Sequence, residues 1–169
     1  MKKTSILILT MLALSSFMAT TVRADSPHFI RGPTASFDSS TGDLCVSFKE
    51  AGLGNAPITY TLSVGSELFT FQCFTRHDNE PQGDPNNVSF SDVSTSTTIT
   101  PHNGQITASI CLEPQQGDAD CQGGGLVLKL LAASYLDIHF CDVTDNICFD
   151  LGDQGGNLNP PLVFPNPRH

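Results

Sequence analysis

The mature part of this chain reads as one all-β domain, a single immunoglobulin-like β-sandwich of about seven to nine strands, stapled by disulfides. Three observations predict it. Short segments rich in Thr, Ser, Val, Ile and Phe are punctuated by Gly, Pro, Asn and Asp, the rhythm of strands and turns. Several segments place apolar side chains at every second position, as a sheet with one buried face requires. The chain also holds six cysteines, an even count that implies three bridges in an exported protein.

Export is read from residues 1–24, MKKTSILILTMLALSSFMATTVRA. Lys2 and Lys3 form a positive start, Ile6 to Leu14 a short apolar run, and Val22 and Ala24 put small residues where signal peptidase cuts. The apolar run is too short and interrupted for a permanent membrane span. No cysteine follows it closely enough to carry a lipid. Cleavage near Ala24 places the product outside the cytoplasm, in a periplasm or the extracellular medium. Residues 25–152 are then expected to form the sandwich, and 153–169, rich in Gly and Pro, an extended C-terminal tail that is partly mobile.

Removing the signal leaves five basic residues against seventeen acidic ones, a net charge of −12. Such a surface repels phosphate backbones and anionic lipid heads, so neither nucleic acid nor membrane insertion is expected. Acidity also serves the solubility of an exported protein. The cysteines form no CxxC pair and no cysteine–histidine cluster, so bridges are expected rather than zinc.

Strands are expected near 33–37, 43–49, 57–64, 68–75, 93–100, 104–112, 126–131, 134–142 and 147–151. In ITYTLSV, Ile58, Tyr60, Leu62 and Val64 point one way, and Thr59, Thr61 and Ser63 the other. In QITASICL, Ile106, Ala108 and Ile110 oppose Thr107, Ser109 and Cys111. The stretch 126–138 has a composition open to helix, but Gly123 to Gly125 before it, β-rich neighbours and the alternation of YLDIHF favour two strands with a kink. Two long polar loops are expected, 75–87 and 113–125.

The segment KEAGLGNAPITYTL (49–62) resembles a group of small secreted proteins with a lysine-acidic-AGLGN turn leading into a strand. Counterparts to the rest of that group's pattern are Cys73, the stretch Asn79 to Gly83, Asn103 to Ala108, Cys121 to Gly125, and Ser134-Tyr135. The resemblance covers roughly 45–142. At Arg76-His77-Asp78 the chain departs from the glycines usual there. What the resemblance implies is a fold and a disulfide; it carries over no activity and no catalytic residue. Of the fifteen schemes open to six cysteines, the expected one is Cys45–Cys111, Cys73–Cys121 and Cys141–Cys148. Cys141 and Cys148 flank a turn-rich stretch, Cys73 and Cys121 match cysteines of the resembling group, and the other two remain.

No catalytic constellation stands out. The GxSxG elbow of a serine hydrolase is absent, and cysteines held in bridges leave no thiolate. His28 follows Asp25-Ser26-Pro27, so an N-terminal copper site would need further trimming of the chain. The loop carboxylates do not follow DxDxDG spacing. Calcium, held weakly, is the one ion these oxygen ligands would suit, and no cofactor is expected. Gly123 to Gly125 lacks the Lys-Ser/Thr of a phosphate cradle. The expected function is therefore that of a secreted, non-catalytic interaction domain for a protein or surface glycan. Its expected binding residues are Arg76, His77, Asp78, Glu80, Asp84, Asp118 and Asp120, on two loops brought together if Cys73 and Cys121 are joined. A secreted hydrolase with an unrecognised site, or a structural component of an envelope or matrix, are the alternatives.

Overall fold

The protein is described by a computed structural model over residues 26–164. The expected signal peptide and the last five residues lie outside the described residues. The described residues form seven strands: β1 (His28–Phe37), β2 (Leu44–Ala51), β3 (Ile58–Thr75), β4 (Pro81–Ile99), β5 (Gln105–Leu112), β6 (Leu126–Asp142) and β7 (Ile147–Val163). They form a three-stranded sheet, β1-β2-β5, packed on a four-stranded sheet, β4-β3-β6-β7, with every pairing antiparallel. The fourth strand thus stays beside the third, where the constant-type immunoglobulin order would put it with the first, second and fifth.

Alternation decides which side chains enter the core. Leu44, Val46 and Phe48 of β2, and Ile58, Tyr60, Leu62 and Val64 of β3, are buried at every second position. Two aromatic groups fill the interior. Phe29, Phe48, Tyr60, Phe140 and Phe149 pack together, with Phe48 and Phe140 centroids 4.7 Å apart. Phe69 contacts Phe71, Phe90 and Tyr135, and Phe71 meets Phe164 edge-on. Burying a side chain of this size contributes about 1.5–3 kcal/mol.

Seven strands replace the nine expected segments because four of those segments fuse. The breaks in alternation at 65–67 and 131–133 are changes of phase inside continuous strands. In β3 the buried set moves from Leu62 and Val64 to Glu67, Phe69 and Phe71. Gly65 lies at the change, opposite Asp92 of β4 and Asp137 of β6, both with φ of 54°. Asp137 N donates to Asp153 Oδ1 at 3.0 Å, which carries the crease into β7. In β6 a bulge at Leu131 shifts the register between Thr70↔Ala132 and Phe71↔Leu130.

Two loop expectations are corrected. Residues 81–87 are not loop but the start of β4, so only a five-residue turn separates β3 from β4. Residues 153–163, expected as a tail, are the second half of β7 and pair with β6 from Tyr135↔Gln154 to Lys129↔Val163. The glycines that suggested a tail serve close packing. A Cβ on Gly155 would lie 2.5 Å from the Ala133 carbonyl oxygen.

The three bridges are Cys45–Cys111, Cys73–Cys121 and Cys141–Cys148. Cys45 and Cys111 are register partners across β2 and β5, and Cys141 and Cys148 across β6 and β7. Three disulfides belong with an oxidising compartment outside the cytoplasm.

Candidate functional site

The β3–β4 hairpin runs past the edge of the three-stranded sheet, and its tip is solvent-exposed from Arg76 to Asn87. Its turn is closed by local bonds: Thr75 N donates to Glu80 O, Asn79 N to Thr75 O, and Glu80 N to Thr75 Oγ1. Asn79 takes φ of 55°, which an Asn tolerates in a tight turn. Lys129 of β6 braces the turn, its Nζ donating to Asn79 Oδ1 while its charge lies over the Phe74 ring.

The 113–125 segment docks at the same end. The Cys73–Cys121 bridge, with Cα atoms 5.7 Å apart, ties it to β3. Arg76 N donates to Gly125 O at 2.9 Å, and Arg76 Nε to Leu126 O at 3.4 Å. Of the expected residues, Arg76, His77, Asp78 and Glu80 gather in the hairpin turn. Asp84 stands in β4, in an irregular stretch opposite Gln72 and Cys73. Asp118 is exposed, while Asp120 is half-buried and its Oδ1 accepts from Cys121 N at 2.8 Å. Thus the hairpin residues form one exposed group, and Asp120 is a local brace for the bridge.

The segment differs from a free loop in its packing. Ala119 and Cys121 are buried in the core, and a Cβ on Gly117, at φ of 55°, would sit 2.6 Å from Val88 Cγ1. Residues 113–121 therefore cover the inner face of the overhanging β3–β4 hairpin.

Glu50, Glu67 and Asp142 are fully buried; the first two escaped the sequence reading, and Asp142, expected among the solvated loop carboxylates, is instead in the core. Glu50 Oε2 accepts from Tyr60 OH at 2.7 Å, and burial raises its pKa to about 7, with Asp142 adding to the rise. Asp142 Oδ1 accepts from Thr144 N and Asp145 N, at 2.8 and 3.1 Å, and burial raises its pKa also. Glu50 Oε1 and Asp142 Oδ2 are left without a donor. Burial beside another acid favours the protonated form of Glu50, and a neutral carboxyl is the cheaper state for an oxygen that finds no donor. Glu67 accepts from Gln115 Nε2 at 3.2 Å, and burial raises it to about 7. Tyr135 OH donates to Gly42 O at 2.7 Å. The signal for these acids was the alternation itself. Glu50 continues the inward set of Val46 and Phe48, Glu67 that of Phe69 and Phe71, and Asp142 that of Ile138 and Phe140.

Among the described residues, no three His, Cys, Asp or Glu side chains converge as a metal site. His28, on β1, donates from Nδ1 to Ser26 O at 2.8 Å. In comparisons with protein-family models, curated proteins and solved structures, nothing matches the chain.

Proposed function

We propose that this chain is an exported, non-catalytic recognition domain that meets its partner through the β3–β4 hairpin tip. The connectivity is read as immunoglobulin-like with the fourth strand moved, and residues 1–24 as the export signal. The observation that carries the proposal is the exposed run Arg76–Asn87, pinned at its base by Cys73–Cys121 and by the Arg76 bonds to Gly125 and Leu126. A tip held this way loses little further entropy on binding. It projects outward, a shape that enters a recess on a folded protein more readily than it surrounds a sugar chain. The carboxyls with raised proton affinity, which a hydrolase would use, are sealed in the core where no substrate reaches them.

The test places a photo-crosslinking residue at His77, at Asp84 and, for comparison, at Ser94 on the exposed side of β4, in the producing cell. A discrete adduct from positions 77 and 84, absent from 94, is the expected result. Replacing His77-Asp78 by Gly-Ser, which keeps the Arg76 bonds, should leave the thermal midpoint in place and weaken binding of the captured partner at least tenfold, about 1.4 kcal/mol. Adducts from position 94 alone, or purified protein that hydrolyses ester, peptide or glycosidic probes, would refute the reading.

A further inference from the structure

A second surface lies on the outer face of the three-stranded sheet, where Ile30, Arg31, Ser47, Lys49, Thr107 and Ser109 line an open groove of about 780 Å³. We infer that this groove binds an acidic oligosaccharide, a carboxylate-bearing sugar chain whose charges are separated by neutral sugars. The inference is independent of the hairpin reading, since groove and tip belong to different sheets.

The charge pattern points to the ligand. Arg31 and Lys49 are two of the four lysines and arginines among the described residues, in a chain of formal net charge −9. They are register partners, Arg31 on β1 against Lys49 on β2, and the residue across from Lys49 on β5 is Thr107. Two cations side by side repel, and no carboxylate is their cross-strand neighbour. A charge on β1 could serve to blunt an exposed edge, but Lys49 is on the middle strand, where there is no edge to protect. An anionic group seated between the two relieves the repulsion and accepts hydrogen bonds from both.

Next to the cations stands a row of hydroxyls. Ser47 Oγ donates to Ser109 Oγ at 3.2 Å, leaving the Ser109 proton and Thr107 Oγ1 to meet an incoming polar group. Hydroxyls beside a cation pair suit a sugar carboxylate and the sugar hydroxyls that flank it. A peptide would seek backbone groups along a sheet edge, whereas this groove offers side chains on a sheet face. A densely charged polymer would be repelled by the acidic remainder of the molecule. With a screening length of about 8 Å at physiological ionic strength, a sparsely charged chain feels mainly the local pair.

The probe is a hyaluronan hexasaccharide, with its carboxyl-reduced form and an alternating Gly-Asp octapeptide for comparison, each titrated calorimetrically against the oxidised protein. Two single variants, Lys49→Gln and Lys129→Gln, remove the same charge from different sheets, and a third combines Arg31→Gln with Lys49→Gln. The expected result is binding of the hexasaccharide that falls at least tenfold in the double variant and in the reduced sugar, falls in Lys49→Gln, and is unchanged in Lys129→Gln. Circular dichroism of each variant verifies the fold. The inference is overturned by no binding to the wild type, equal binding of the reduced sugar, tighter binding of the peptide, or equal losses in Lys49→Gln and Lys129→Gln.

Discussion

Glu50, Glu67 and Asp142 are buried acids, and their raised proton affinity makes the fold sensitive to pH in an unusual direction. In the unfolded chain a glutamate releases its proton near pH 4.5, whereas burial holds Glu50 and Glu67 to about 7 and raises Asp142 as well. From pH 4.5 to 7 the folded protein therefore keeps protons that the unfolded chain has given up. Stability is fully present below that window and is lost as pH rises through it, by at most about 1.4 kcal/mol per pH unit for each group. Growing negative charge on an already acidic chain acts in the same direction. The thermal midpoint followed by circular dichroism should fall from pH 4.5 to 7.5. Glu50→Gln keeps an acceptor for Tyr60 and removes one of the titrating groups. That variant should show a shallower decline and a higher midpoint at pH 7.5. A wild-type midpoint that climbs across the window would show that these carboxyls are ionised in the folded state.

At the scale of strands, the bridges divide by the chain they close. Cys73–Cys121 has a sequence separation of 48 and Cys141–Cys148 of 7. Chain entropy assigns them about 4 and about 2.5 kcal/mol. Replacing Cys73 and Cys121 together by Ala should lower the urea midpoint more than replacing Cys141 and Cys148, and equal losses would contradict this ranking. The hairpin bridge was legible, because a short turn-rich stretch returns the chain on itself. The sandwich too was legible, from runs such as ITYTLSV whose period-two pattern survives in the structure. What was not legible was continuity. A phase change at Gly65 or a bulge at Leu131 looks like the end of a strand when only one strand is read, since its partners across the sheet are what keep it paired. For the same reason residues 153–163 looked like a tail: their glycines are explained by the closeness of β6, which no local pattern reveals. In the candidate site the hairpin turn could be read from its polar residues, but not the docking of 113–121; Asp142 looked like loop charge, and Glu50 and Glu67 fell at the ends of the expected strands, where their inward direction did not show.

For the molecule as a whole, the problem is that a four-stranded sheet of 17- to 19-residue strands is packed on a sheet whose strands have 8 to 10 residues. The overhang carries Phe69, Phe71, Val88, Phe90, Leu128 and Leu130 on its inner side, and without cover it would be an exposed apolar patch prone to association. The 113–121 segment supplies part of that cover, with Ala119 buried and Pro114 meeting the 38–43 turn near Gly42. Gly117 is the point at which it approaches β4, in a left-handed conformation and with no room for a Cβ. Gly117→Val adds both backbone strain and a clash with Val88 and Phe90, so the segment must lift from the sheet. The expected outcome is a loss of about 2–4 kcal/mol in stability, bound 8-anilinonaphthalene-1-sulfonate fluorescence at temperatures where the wild type has none, and concentration-dependent association. Asp118→Asn, one residue away but solvent-exposed, should leave all three unchanged. If Gly117→Val binds no dye and stays as stable as the wild type, the 113–121 segment does not seal the overhang, and the covering role passes to the 38–43 turn and Phe164, which meets Phe71 edge-on.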